Sequence, residues 1–221
     1  MTFTLTTGGH ACVRLDRDGG RLVIDPGGFS DPAVLDGADA VLVTHEHADH
    51  VDPAGLAGRL VADPALEAWA PAGVVDQLRA AGAPGARTHV AEVGGSWTAA
   101  GFAVRGVGGT HRAIHPDLPP VQNIGYLVEG VLLHPGDALQ PPPAGTDLAV
   151  LLVPVAGPWL ALADAIDYLR AVRPRVAVPI HDAILSPPGL ALADRLVGGL
   201  GALEGTQYLR LAPGAAHLVE G

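Results

Sequence analysis

A chain of 221 residues, 48% of them hydrophobic, can bury one sizeable core, and it reads as a single domain over 1–221. Thirteen cationic residues, all arginine, stand against 23 acidic ones, and the net charge of −10 makes nucleic acid a poor partner. No apolar stretch reaches the roughly 18 residues of a membrane helix, no secretory signal is recognisable at the start, and Cys12 is the lone cysteine. Disulfides within the chain are therefore excluded, and a soluble cytoplasmic protein is expected. The absence of lysine removes Schiff-base and phosphate-loop chemistry, and none of Ser30, Ser96 and Ser186 lies in a G-x-S-x-G elbow.

Along the chain, short apolar runs broken by glycine and proline predict strands over 3–5, 11–15, 22–24, 40–43, 89–93, 102–107, 124–128, 131–134, 148–153 and 176–179. Asp52-Pro53 has the form of an N-cap followed by proline at the first helical position, opening a short helix. Helical candidates follow at 73–81 and 190–200, and the clearest is 161–172, where Leu162, Ala165, Ile166, Leu169 and Val172 share one face. Pro141-Pro142-Pro143 reads as a local turn or stiff loop, and no repeat recurs at a fixed period. Strands dominating the first two-thirds, with a strand–helix–strand unit near the end, imply an α/β architecture of two sheets covered by helices.

The run Ala40-Val-Leu-Val-Thr44 leads straight into His45-Glu-His-Ala-Asp-His50, placing three imidazoles and a carboxylate where a buried strand would end. Packing so many titratable groups beside a core is costly, and a divalent cation is the usual compensation. Imidazole nitrogen and carboxylate oxygen suit zinc, manganese or iron. The helical zinc-protease pattern H-E-x-x-H fails, because Asp49 stands at its fifth position.

H-x-H-x-D-H, by contrast, resembles the signature of the metallo-β-lactamase fold superfamily. Four further motifs match in the family's order: Asp25 in Leu22-Val-Ile-Asp-Pro-Gly-Gly28, His111 after Val107-Gly-Gly-Thr, Asp137 in His134-Pro-Gly-Asp after Gly125-Tyr126, and His181 ending Val176-Ala-Val-Pro-Ile. Gly9-His10-Ala11 and the Pro-Ile-His ending make the chain most similar to the ascorbate-phosphate-lactonase-like branch of metal-dependent hydrolases; Ala138 replaces a frequent threonine. The resemblance implies a four-layer αββα sandwich of two mixed sheets flanked by helices. It implies two divalent metal ions, zinc first, with manganese or iron the alternatives. His45, His47 and His111 would hold one, Asp49, His50 and His181 the second, and Asp137 would bridge them, with Asp25 orienting a ligand or the turn.

The chemistry so implied is attack by a metal-bridged hydroxide on a small ester, lactone or phosphodiester, with Asp49 orienting the hydroxide and taking its proton. The general acid, the substrate and the oligomeric state are not legible; a homo-oligomer is compatible with the sequence. His10 is the strongest further catalytic candidate, since the resemblance puts a Gly-His near the site's mouth. His115 and Trp159 are candidates for the substrate pocket, although for each residue a structural role is an equal or stronger reading. Cys12 reads as core. Competing readings are a flavodiiron-type redox enzyme, disfavoured by His47 where that group has glutamate, a nuclease of the same superfamily, and a non-catalytic metal-binding or scaffold member.

Overall fold

Runs in which every residue is apolar become strands buried on both faces, as strands inside a covered sheet must be. In the computed structural model, which describes residues 2–203, 205–212 and 214–221, fourteen strands numbered along the chain form two seven-stranded sheets. The first runs β14 (Ala216–Glu220), β1 (Thr2–Gly9), β2 (Cys12–Arg17), β3 (Gly20–Ile24), β4 (Ala40–Leu42), β5 (Glu67–Ala70) and β6 (Thr88–Val90). The second runs β13 (Gln207–Tyr208), β12 (Val176–Ile180), β11 (Val150–Pro154), β10 (Leu132–His134), β9 (Gln122–Val128), β8 (Phe102–Thr110) and β7 (Ser96–Ala99). Both are mixed: β14 through β3 and β7 through β10 are antiparallel, whereas β3 through β6 and β10 through β13 are parallel.

The sheets face one another across a core that includes Leu5, Leu15, Ile24 and Leu42 from the first and Ile124, Tyr126, Leu132 and Leu152 from the second. Phe3 and Phe102 meet edge to face across it, their ring centroids 5.6 Å apart. Helices cover the outer faces. On the first sheet, α1 (Pro53–Ala62) buries Leu56, Ala57 and Leu60, and α2 (Ala72–Ala80) buries Val74, Val75 and Leu78, against Val41 and Val43. On the second, α3 (Leu162–Val172) buries Ala165, Tyr168 and Leu169 against Leu151, Val153 and Ala177. Four layers result, as the resemblance implies.

All ten expected strands form, and the helices at 73–81 and 161–172 agree with α2 and α3 within a residue. Asp52 caps α1 by accepting from the Ala54 amide, with Pro53 at the first helical position. The segment expected as one helix over 190–200 instead starts earlier as α4 (Pro187–Ala193), capped by Ser186, and widens into a π-type turn over Asp194–Gly201, where three glycines weaken regular helix. Four strands escape the sequence pattern. β5, Glu-Ala-Trp-Ala, offers two alanines rather than branched residues, and β7, β13 and β14 are short or partly exposed outer strands lacking a long apolar run.

The sheets are tied together by Tyr126, fully buried on β9, whose hydroxyl donates to the Val43 carbonyl at 2.6 Å just past β4. Tyr126→Phe should lower unfolding stability by about 1–3 kcal/mol, since a buried carbonyl loses its donor. Urea unfolding checks this; an unchanged midpoint contradicts it.

Candidate metal centre

β1, β3, β4, β8, β10 and β12 all end at the same edge of the sandwich, and each hands its next residues to one site. His10 follows β1, Asp25 follows β3, His45 follows β4 by three residues, His111 follows β8, Asp137 follows β10 by three, and His181 follows β12. Turning the chain so sharply at strand ends needs unusual backbone: His10, Asp25 and His181 have φ of 53°, 54° and 61°, a region non-glycine residues seldom occupy. Glycine makes room for two of the turns. A Cβ on Gly27 would overlap the Asp49 carbonyl, and one on Gly136 (φ 61°) would overlap the Asn123 side chain.

Two groups of donors result. His45, His47, His111 and Asp137 form one, and His10, Asp49, His50 and His181 the other; within each group the ligand-type atoms lie within 4.8 Å of one another. Asp137 lies against both. Its Oδ2 is 3.3 Å from His111 Nε2 and 3.0 Å from His181 Nε2, and its Oδ1 is 3.1 Å from His50 Nε2. Despite these separations, His50 Nε2, His111 Nε2, both ring nitrogens of His181 and Asp137 Oδ1 are buried without a hydrogen-bond partner. All seven residues named as ligands in the sequence therefore converge.

The model of the β-lactamase superfamily domain matches residues 4–181, the span that contains every one of these side chains. The chain belongs to this superfamily, with the metallo-β-lactamase fold. It is 43% identical over 189 residues to protein Rv0786c of Mycobacterium tuberculosis, covering 83% of this chain and 85% of that one. It is 34% identical to UPF0173 protein PF0020 of Pyrococcus furiosus, covering 78% of this chain and 80% of that one. Among solved structures it resembles Igni18, a metallo hydrolase of Ignicoccus hospitalis, with a TM-score of 0.74 at 22% identity and full coverage of both chains.

Behind the inward-facing atoms, hydrogen bonds fix several groups of the superfamily site. Asp25, fully buried, accepts from the Thr44 amide and hydroxyl, both at 2.7 Å, and from His50 Nδ1 at 2.8 Å. Because the Thr44 hydroxyl donates to Asp25, its oxygen is free to accept from His45 Nδ1 at 3.0 Å. His111 Nδ1 rests on the Arg112 carbonyl. Asp137 is held by its amide bond to Asn123 Oδ1 at 3.0 Å and by Trp159, whose indole N–H donates to Oδ2 at 2.8 Å. The Trp159 ring also stands edge-on to His111 and His181, its centroid 5.7 Å from each.

Of the residues expected at the pocket, Trp159 is thus a buried partner of Asp137, and His115 is not gathered into the site. His115 is exposed on the loop after His111, where its Nδ1 accepts the Asp117 amide in a local turn. His134 is fully buried but serves the backbone, donating from Nε2 to the Ala11 carbonyl and accepting the Gly136 amide. The sequence does not distinguish Thr44, Asn123 and Gly27: a threonine after a strand, an asparagine inside one and a glycine in a turn look alike wherever they fall.

Burial alone would neutralise this site, and the charges oppose it. Burial raises the Asp137 carboxyl, but His50, His111 and His181 outweigh it and hold it well below the usual carboxylate range. Asp49 is likewise lowered, burial being overcome by the His10 and His181 rings beside it. Burial also works against charge on His50 and His181, yet Asp25 and Asp137 push His50 up to about 10, and Asp137 and Asp49 push His181 up to about 9. His45, by contrast, is lowered by burial and by His50.

In chelator-treated protein, the stability drawn from His50 and His181 is complete below their ordinary value of about 6.5 and is lost as pH rises through about 9 to 10. Its Tm should therefore be lower at pH 10 than at pH 6.5, and the fall should shrink in Asp137→Asn, which removes the charge facing both rings. Scanning calorimetry reads this; a Tm that holds or rises over the interval contradicts it.

Proposed function

We propose that the chain is a binuclear metal-dependent hydrolase acting on a small ester, lactone or phosphodiester. The observation that carries this reading is Asp137 lying between two groups of imidazole and carboxylate donors, with several inward atoms unpaired. Such a donor set fits divalent cations of the zinc, manganese or iron kind. His45, His47 and His111 would hold one, Asp49, His50 and His181 the other, and Asp137 both. When bound, such cations supply Lewis acidity and a water nucleophile at neutral pH.

The protein's own groups supply the rest. Asp25, Thr44 and the Arg112 carbonyl lock ring orientations, which supports affinity as outer partners of metal ligands do. Asp49, held ionised and still partly exposed, is placed to orient an attacking water at the open side of the site. Phe29, largely exposed with its ring 5.2 Å from that of His10, gives this side an apolar wall. The arginines on the neighbouring loops are committed, Arg112 to Asp164 and Arg210 to Asp182 and Asp194. Without a free cation among them to meet a phosphate, a neutral ester or lactone fits better than a phosphodiester. The charge of −10 argues in the same direction against a nuclease. A single buried cysteine accords with a reducing, cytoplasmic setting, and no helix among the described residues is long and apolar enough to cross a membrane.

Two measurements test the reading together. Purified or reconstituted protein should carry close to two equivalents of metal, one for each donor group. On generic aryl esters, lactones and bis-p-nitrophenyl phosphate, Asp49→Ala should lower kcat by a factor of about 10²–10⁴, the usual worth of a positioned acid–base group. No metal after reconstitution, or activity unchanged in Asp49→Ala, contradicts it.

A further inference from the structure

His10 satisfies every simple criterion for a metal ligand or a catalytic base: its ring is buried, it lies in one donor group, and its Nε2 is 3.0 Å from Asp49 Oδ2. Its other nitrogen points to a different role. The backbone amide of Ala183 donates to His10 Nδ1 at 3.2 Å. An amide N–H can only donate, so Nδ1 holds a lone pair and the ring hydrogen of the neutral imidazole sits on Nε2. Nε2 therefore has no lone pair to offer a cation or a proton, and it faces Asp49 as a donor.

Three of the other histidines at the site show the opposite arrangement. His50, His45 and His111 each have an acceptor at Nδ1, namely Asp25, the Thr44 hydroxyl oxygen and the Arg112 carbonyl. An acceptor there holds a hydrogen on Nδ1 and turns Nε2 inward, where its lone pair can serve a cation, the arrangement usual for a metal-bound imidazole. His10 alone among these four has a donor behind it. Its backbone reinforces the placement: the His181 amide donates to the His10 carbonyl at 3.0 Å, so residues 181–183 are strapped to the β1–β2 turn by two bonds. The positive φ of both His10 and His181 is the conformational cost of that strap.

We infer that His10 is a positioning residue: a neutral Nε2–H donor that fixes the Asp49 carboxylate, and neither a metal ligand nor a proton acceptor. The inference rests on the hydrolase reading above only for what Asp49 does; the tautomer itself belongs to the chain with or without metal. Two consequences follow. The second donor group supplies three ligands of its own, Asp49, His50 and His181, rather than four. The Asp49 oxygen facing His10 is restrained by a neutral N–H, so the carboxylate keeps its full negative charge.

Histidine nitrogen-15 NMR on the wild-type protein, free of metal and then with zinc, tests this directly. The expected spectrum shows His10 with hydrogen on Nε2 and a bare Nδ1 in both states; a bare Nε2 in the zinc form overturns the inference. Variants extend it. His10→Gln places an amide N–H near the position of Nε2, whereas His10→Leu offers no donor. Chelator competition with zinc should show that His10→Leu retains both equivalents but binds one of them about 10–100-fold more weakly, as loss of an outer partner does, and that His10→Gln recovers most of the difference. Loss of one equivalent in both variants would mark His10 as a ligand, and unchanged affinity in His10→Leu would remove its positioning role. Should the leucine variant not fold, the NMR result and the glutamine variant decide. A wild-type protein that takes up no zinc would overturn the hydrolase reading, while the His10 tautomer would still be read from the metal-free spectrum.

Discussion

The structure depends on bringing negative charge to the edge of an apolar core and keeping it there. Asp25 and Asp137 are buried, and an isolated carboxylate in such surroundings is strongly unfavourable. Each is tolerated for a different reason. Asp25 is satisfied at both oxygens: two donors from Thr44 and one from His50 occupy it, and it acts as a fixed anchor behind the histidine-rich turn. Asp137 is only partly satisfied, with Trp159 on one oxygen and the other unpaired. That asymmetry separates a structural carboxylate from one available to a cation.

Around this pair the fold acts as a positioning device. Strands of two different sheets must end in register for six separate segments to reach one point. The inter-sheet core and the Tyr126–Val43 bond hold that register. Strain is concentrated where the chain leaves the strands: among the described residues, three of the six non-glycine residues with positive φ are His10, Asp25 and His181. Such conformations cost about 1–3 kcal/mol each and persist only where the surroundings enforce them. Here the enforcing contacts are visible, in the amide bonds that tie residues 181–183 to residue 10 and the glycines that let the turns close.

Much of this was legible in the sequence because the relevant signals were local. The ligand-bearing turn 45–50 declared itself by composition, and Asp25, His111, Asp137 and His181 by their place just after apolar runs. The strands at 40–43 and 148–153 were visible because burial on both faces demands unbroken apolar residues. The illegible parts were those whose meaning arises only in three dimensions. Trp159 lies 22 residues from Asp137, and nothing in Gly-Pro-Trp indicates which oxygen its indole will reach. The role of His10 turns on which atom faces Nδ1, and that atom belongs to Ala183, 173 positions away. His115 showed the converse failure: nearness to His111 in sequence did not bring it to the site, because the loop between them turns outward and pairs it with Asp117. β5 escapes the pattern because a glutamate and two alanines carry little strand preference around its one tryptophan, and pairing with β4 and β6 holds it extended.

The central claim is that seven side chains from strand ends of both sheets converge to hold paired cations, and anomalous diffraction from crystals of the zinc-loaded protein tests it most directly. The expected map shows two peaks, one bounded by His45, His47, His111 and Asp137, the other by Asp49, His50, His181 and the same Asp137, with His10 in contact with neither. A map with no peak among these residues, their imidazoles instead hydrogen-bonded to the carboxylates, would contradict the account.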